Sequence, residues 1–198
     1  VKRAVEWCCK YGLNIILDLH KTAGYSFDKD EQESGFFVEE SCQEYFYTLW
    51  EEIARRFSGY GDYIAFELLN EVTEEKTMDA WKRISGECIR RIRVIAPTTK
   101  ILIGGYWNNS VAAVKALPLP VDENIVYNFH CYEPLIFTHQ GAGWVDTMPA
   151  DYRMSFDNDM SVFLDNTKKY LPDNMILLEP AKDIDHALDQ EFFEKLFA

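Results

Sequence analysis

The sequence predicts a parallel α/β fold, a sheet or a barrel, and three observations carry that expectation. Amphipathic helical stretches alternate with short, nearly continuous apolar runs. The connections between them are short, so consecutive strands lie side by side with right-handed helical crossovers. The apolar runs also lack strict polar alternation, which is the mark of strands covered on both faces.

The first helix begins at Val1, where Val1, Ala4, Val5, Cys8 and Cys9 follow the i, i+3, i+4, i+7, i+8 spacing of one face and Gly12 closes the end. Asn14 to His20 (Asn-Ile-Ile-Leu-Asp-Leu-His) reads as the first strand. Cys42, Tyr45, Phe46, Leu49, Trp50, Ile53 and Phe57 give the second helix, followed by a strand from Tyr63 to Asn70. Ala80, Trp81, Ile84, Cys88, Ile92 and Ile95 give the third, ended at Pro97, and Lys100 to Gly104 is the next strand. A short helix capped by Ser110 carries Val111, Val114 and Leu117 up to the Pro118-Leu119-Pro120 turn, and Ile125 to Tyr132 forms a fourth strand.

After Tyr132 the rhythm breaks. Residues 133 to 153 read as loop, 155 to 171 as helix and 185 to 197 as helix again. A long irregular segment after a strand's carboxyl end is usually functional or inserted, so 133–184 is expected to be an insertion within one domain covering 1–198.

Composition narrows the function. With 198 residues and 47% hydrophobic content the chain buries a sizeable core and fits one domain. A net charge of -13 opposes binding to nucleic acid or to an anionic membrane, and leaves a neutral substrate open. No stretch approaches the roughly 18 apolar residues of a bilayer span, and Val1 opens no charged-then-apolar leader, so no signal peptide is expected. The five cysteines (Cys8, Cys9, Cys42, Cys88 and Cys131) are odd in number, and all but Cys131 fall on helical apolar stripes. Buried free thiols are therefore expected rather than disulfides or a zinc site.

The strand ends carry the chemistry. Phe66-Glu67-Leu68-Leu69-Asn70-Glu71 delivers an Asn-Glu pair to a strand's carboxyl end, where ligands collect in parallel α/β folds. Such a pair also serves as a plain helix cap with a first-turn acid. His20 ends the first strand, and His130 and Tyr132 end the fourth, two apart, so that in a strand they would leave the same face. A lone His at such a place is more often structural, and a lone Trp such as Trp107 is more often packing. Asn70 and Glu71 are adjacent, so both can face a ligand only if the strand ends or bulges there.

Ile16 to His20, Phe66 to Glu71, and Asn128-Phe129-His130-Cys131-Tyr132-Glu133-Pro134 together resemble glycoside hydrolase family 5, the cellulase family of retaining glycosidases. Gly104 to Ser110 and Phe137 to Ala142 with Trp144 are similar to loops of its endoglucanase members. The resemblance implies a (β/α)8 barrel and endo-acting cleavage of β-1,4-glucan, with Glu71 as general acid/base after the fourth strand. It implies that Asn70 bonds the 2-hydroxyl of the sugar at the cleaved linkage. His130 and Tyr132 would lie beside the nucleophile and substrate after the sixth strand, and His20 would border the same subsite after the third. Trp107 would be an aromatic platform for a neighbouring glucose. No metal or cofactor is implied.

The family's second Glu in a Gly-Glu context, its second-strand Arg and its eighth-strand Trp have no match here. The chain is thus expected to cover strands three to six, an incomplete half barrel, with the nucleophile outside it and the isolated chain inactive. Retaining hydrolysis needs two carboxyls about 5 Å apart, and one Glu cannot fill both roles. Met175 to Pro180, an apolar run ending at Glu179, is the in-chain rival and reads better as an inserted hairpin; Glu133 is a weaker one. For Glu71 to start protonated, burial or a neighbouring carboxylate must raise its pKa. Relatives acting on mannan, xylan or β-1,3-glucan, or a non-catalytic sugar-binding protein, are the alternatives. Unpaired sheet edges of a half barrel would favour self-association. A glycan-degrading role points to secretion or the cell surface, and the free cysteines point mildly the other way.

Overall fold

The computed structural model describes residues 1–28 and 34–198, which fall into two compact units, Val1–His130 and Cys131–Ala198. In the first unit, helix α1 (Lys2–Tyr11) leads into strand β1 (Ile15–Asp18) and a small antiparallel hairpin, β2 (Lys21–Thr22) and β3 (Tyr25–Ser26). Then come α2 (Glu40–Phe57), β4 (Ile64–Glu67), α3 (Met78–Ile95), β5 (Lys100–Ile103) and β6 (Ile125–Tyr127). β1, β4, β5 and β6 form one parallel sheet in that order. Spatial order that follows chain order, with right-handed crossovers, sets every connecting helix on one face. The fold is therefore a stretch of α/β barrel wall, not a doubly wound sheet.

The helices form where the apolar spacing places them. α2 carries Phe46, Trp50 and Phe57, and α3 carries Trp81, Ile84, Cys88 and Ile92, all buried and spaced three or four apart. The two stripes close on the outward strand residues Ile64, Phe66 and Ile101. Phe46 meets Phe36 and Trp81 with ring centroids 5.2 and 6.3 Å apart, and Trp50 lies 5.5 Å from Phe66. Outside this core, Arg91 of α3 pairs with Glu44 of α2 and lies over the Tyr47 ring. α1 ends at Gly12, whose φ of 68° lets its N–H reach the carbonyls of Cys8 and Cys9.

Two buried tryptophans tie this core to the strand ends. Trp50 Nε1 donates to the Leu68 carbonyl at 3.1 Å and Trp81 Nε1 to the Gly104 carbonyl at 2.9 Å. Each indole thereby pins the chain just past the carboxyl end of β4 or β5. The opposite face of the sheet carries Asp18, Glu67 and Val126, with Ile16 one pleat below.

The strands are shorter than their apolar runs predict. β1 stops at Asp18 rather than His20, β4 at Glu67 rather than Asn70, β5 at Ile103 rather than Gly104, and β6 at Tyr127 rather than Tyr132. Beyond these points Leu68, Leu69 and Gly104 stay buried but leave the ladder, and the carbonyls of Leu68, Asn70, Glu71 and Gly104 accept from side chains instead. The hairpin β2–β3 has no apolar run to announce it. The Ser110-capped helix is a single 3-10 stretch, Val111–Ala116, with the Ser110 hydroxyl accepting from the Ala113 N–H.

The second unit has its own core, in which Ile136, Met160, Phe163, Leu178 and Phe192 are buried together. Its helices are Leu135–Thr138, Met160–Tyr170, Met175–Leu178 and Gln190–Phe197. The hairpin expected over Met175 to Pro180 is instead a helical turn between two 3-10 turns, Pro172–Asn174 and Glu179–Ala181. Prolines at Pro172 and Pro180 sit at the start of those turns, where a missing N–H costs nothing. All five cysteines are free, and only Cys88 is fully buried; the other four are half-buried rather than in the core.

Candidate active site

The segment that leaves β4 forms the centre of the site. Leu68, Leu69 and Val72 are buried and hold the chain in the core, while the backbone between them is fixed by long-range bonds. Asn70 N–H donates to the Leu19 carbonyl at 3.1 Å, and the Asn109 amide donates to the Asn70 carbonyl. Tyr25, from β3, donates its hydroxyl to the Glu71 carbonyl at 2.5 Å and accepts from the Thr73 N–H at 3.0 Å. Since β4 ends before Asn70, strand alternation does not apply there, and Asn70 and Glu71 need not point oppositely.

A tight turn after β5 supplies the next part. Trp107, Asn108 and Asn109 all have positive φ, 50°, 57° and 57°. Asn tolerates this region because its short side chain bonds locally; Trp does not, and such a residue costs roughly 1–3 kcal/mol. The turn is held by Trp107 N–H to the Thr73 carbonyl at 3.2 Å and Asn108 N–H to the Val72 carbonyl at 2.9 Å. Asn109 is fully buried against Gly104, where a Cβ would collide with its side chain. Its carbonyl accepts from the His130 N–H at 2.8 Å, so this turn also sets the chain beyond β6.

Glu71 lies at the convergence. His130 Nδ1 is 2.7 Å from its Oε1, and the Asn108 amide donates to its Oε2 at 2.7 Å. Burial pushes the Glu71 pKa up, but hydrogen bonds from His130 and Asn108 and the His130 charge outweigh it, and the net direction is down. His130 moves the other way, upward, chiefly through its bond to Glu71 and against its own burial. Each partner thus favours the charged form of the other. The expected rise of Glu71 is not found: Trp107 lies against Tyr106, ring centroids 5.0 Å apart, and supplies no apolar cover that outweighs the donors.

Two more carboxylates form the floor. Asp18 and Glu67 are register partners on adjacent parallel strands and share one face. Burial raises the Glu67 pKa, and repulsion from Asp18 adds to it. Burial also raises that of Asp18, against the attraction of His20, whose Nδ1 contacts the Asp18 carboxylate. The Asn128 amide donates to Glu67 Oε1 at 2.5 Å, and that oxygen lies 4.0 Å from His130 Nε2.

Of the residues singled out from sequence, Glu71, Asn70, His130, His20 and Trp107 all belong to the first unit. There Glu71 and His130 bond directly and Asn70 is backbone-anchored beside them. His20 stands on Asp18 with its ring edge against Phe27, centroids 5.7 Å apart. Tyr132 belongs to the second unit, exposed, with its ring 5.2 Å from His139 and its carbonyl accepting from Thr138. The strand geometry that would have aimed His130 and Tyr132 together is absent, because β6 stops at Tyr127. Tyr25, Glu67, Asn108, Asn109 and Asn128 were not singled out as site residues by sequence reasoning. Only Asn128, two before His130, and Asn108-Asn109, in a stretch already flagged, gave any signal. Among the described residues no group of three His, Cys, Asp or Glu side chains is arranged to hold a metal ion.

The pair predicts a pH dependence. A depressed Glu71 contributes stability above its ordinary value of 4.5 and loses it as pH falls through its folded value. A raised His130 contributes below its ordinary value of 6.5 and loses it as pH rises through its folded value. His130→Gln is therefore expected to destabilise most between these two ordinary values, with the gap narrowing on both sides. Urea midpoints measured across pH read this directly, and a gap independent of pH would mean that no ion pair exists.

The family model for Cellulase (glycosyl hydrolase family 5) matches residues 1–177. The chain is 55% identical over 158 residues to Cellodextrinase A of Ruminococcus flavefaciens, covering 80% of this chain and 47% of that protein. It is 41% identical over 150 residues to Endoglucanase C of Acetivibrio thermocellus, covering 76% and 43% respectively. Among solved structures it is similar to Thermotoga maritima Cel5A in complex with cellobiose, with 26% identity, a TM-score of 0.63, and 92% of this chain and 56% of that one covered. The chain therefore spans about half the length of the relatives it matches.

Proposed function

Because the chain belongs to glycosyl hydrolase family 5, the cellulase family, we propose that the whole protein is a retaining glycosidase cutting β-1,4-linked glucan internally, with Glu71 as its general acid/base. The observation that carries this reading is the convergence on Glu71. A carboxyl sits at the carboxyl edge of a parallel sheet, its backbone fixed by Tyr25 and its two oxygens engaged by His130 and Asn108. The names of the relatives, a cellodextrinase and an endoglucanase, support β-1,4-glucan as the substrate class. So does the acidic, net -13 chain, which disfavours anionic polymers.

Retention proceeds in two displacements. In the first, a carboxylate attacks the anomeric carbon while Glu71 gives its proton to the departing glycosidic oxygen. In the second, Glu71, now ionised, takes a proton from the water that attacks the glycosyl ester. The nucleophile is assigned to sequence outside these 198 residues. Glu67 and Asp18 are floor groups engaged by Asn128 and His20, and Glu179 pairs with Lys182 on a helical turn of the second unit.

The low proton affinity of Glu71 suits the second step. A second carboxylate about 5 Å away raises it for the first, because two like charges that close cannot both ionise freely. Once that carboxylate is esterified its charge is gone, and the bonds from His130 and Asn108 again favour the ionised form of Glu71. Asn70 is assigned to the sugar's 2-hydroxyl, His20 and Tyr132 to flanking contacts, and Trp107, 39% exposed, to a glucose face. Residues 133–184, which lie within the second unit, are read as an insertion within a single catalytic domain covering 1–198.

The test is product analysis. The whole protein given soluble β-1,4-glucan is expected to release oligosaccharides that keep the β-anomeric configuration, followed by proton NMR before mutarotation. Release from mannan or xylan with none from β-1,4-glucan would overturn the substrate. Binding of glucan without any new reducing ends would overturn the enzyme.

A further inference from the structure

We propose that Glu67 is a positioning residue for the acid/base pair, its carboxylate seated under His130 Nε2 so that the ring stays doubly protonated and Nδ1–H remains aimed at Glu71. The proposal rests on the reading of Glu71 above and deepens it.

The geometry is that of one imidazole between two carboxylates. Nδ1 meets Glu71 Oε1 at 2.7 Å, and Nε2 faces Glu67 Oε1 at 4.0 Å, an ion-pair separation. Neutral imidazole offers one N–H only. With no negative charge on the Nε2 side, the ring could keep its proton on either nitrogen, and half of that choice would present a bare Nδ1 lone pair to a Glu71 carboxylate. A charge beneath Nε2 favours the state in which both nitrogens donate.

Glu67 is fixed for this task. It is the last residue of β4, its side chain is largely buried, and Asn128 Nδ2 bonds the oxygen that faces the ring. Asn128 and His130 lie two apart on the segment after β6, so the same segment that carries the imidazole also orients the carboxylate beneath it. The titratable groups facing His130 are Glu71 and Glu67 from β4 and its extension, and Asp18 from the end of β1. Glu71 and Glu67 act at contact and ion-pair distance. Asp18 is engaged by His20 and acts on the ring less than they do.

Burying a carboxylate has a cost that a structural role would not require. Replacing a buried charge by a shape-matched neutral group is often neutral or stabilising. The buried Glu67 carboxylate is compensated by the Asn128 amide and the imidazolium.

The test is the titration of His130 in the whole protein labelled at histidine, with its signals identified by their loss in His130→Gln. Glu67→Gln is expected to weaken the proton affinity of His130 several-fold, while Asp79→Asn, a fully exposed side chain, leaves it in place. Glu67→Asp keeps the charge but draws it back by one methylene, and is expected to give an intermediate loss. An unchanged His130 midpoint in folded Glu67→Gln overturns the proposal, as does an Asp variant that loses as much as the Gln variant. If Glu67→Gln does not fold, the Asp variant decides alone: an intermediate loss supports the role and no loss overturns it. The readout is a protonation midpoint, so it stands whether or not the protein cuts glucan.

Discussion

Glu71→Gln in the whole protein is expected to lower turnover of β-1,4-glucan by roughly 10²–10⁴-fold with the fold intact, the range that a positioned general acid or base contributes. Gln matches Glu in shape: its carbonyl can still accept from His130 Nδ1, and its NH2 can donate to Asn108 once that amide turns its oxygen inward, while Tyr25 and Asn109 still hold the segment. What is lost is the transferable proton. The loss is therefore expected in kcat more than in KM, and it should shrink on aryl glycosides whose leaving group departs without protonation. Steady-state kinetics on glucan and on a dinitrophenyl glycoside check both statements. An equal loss on the two substrates would assign Glu71 to binding or structure instead.

Trp81→Ala is expected to destabilise the fold by about 3–5 kcal/mol, in the range of large aromatic truncations in cores. Trp81 is fully buried, packs on Phe46 across the α2–α3 interface, and donates Nε1 to the Gly104 carbonyl. Truncation opens a cavity and leaves that carbonyl without its donor, and each adds to the other. Because Gly104 packs against Asn109, which bonds both the Asn70 carbonyl and the His130 N–H, the loss reaches the site. Urea unfolding measures the first effect. Trp81→Phe, which keeps most of the volume and drops the donor, is expected to lose less, and equal losses would mean that the hydrogen bond rather than the packing dominates.

How much of this was legible in the sequence depends on the physics behind each element. The helices α2 and α3 were readable because their burial is periodic and their stripes uninterrupted, down to Trp50, Trp81 and Cys88. The strands were readable in place but not in length. Leu68, Leu69 and Asn70 look like a continuation of the strand, yet the carbonyls of Leu68, Asn70 and Glu71 bond to Trp50, Asn109 and Tyr25, partners that no local pattern encodes. Asn70, Glu71 and His130 stood out because polar groups ending apolar runs are unusual.

Glu67 stood inside the same run and was not singled out. Its importance comes from its register with Asp18 and its distance to His130, both properties of the assembled sheet. The left-handed turn at Trp107–Asn109 was hidden for a related reason, since a Trp at positive φ runs against its own preference and is imposed by Thr73, Val72 and Gly105 around it. Met175 to Leu178 shows the reverse failure. Four apolar residues do not distinguish a strand from a helical turn, and the flanking prolines decided it.

The central claim is that Glu71 is the acid/base and not the nucleophile, and chemical rescue tests it most directly. In the whole protein carrying Glu71→Ala, with a dinitrophenyl β-cellobioside as substrate, azide can enter the vacated space and attack the glycosyl ester without base assistance. The account predicts faster turnover with added azide and a β-configured glycosyl azide as product. An α-configured azide would make Glu71 the nucleophile, and no acceleration with hydrolysis unimpaired would remove it from the chemistry.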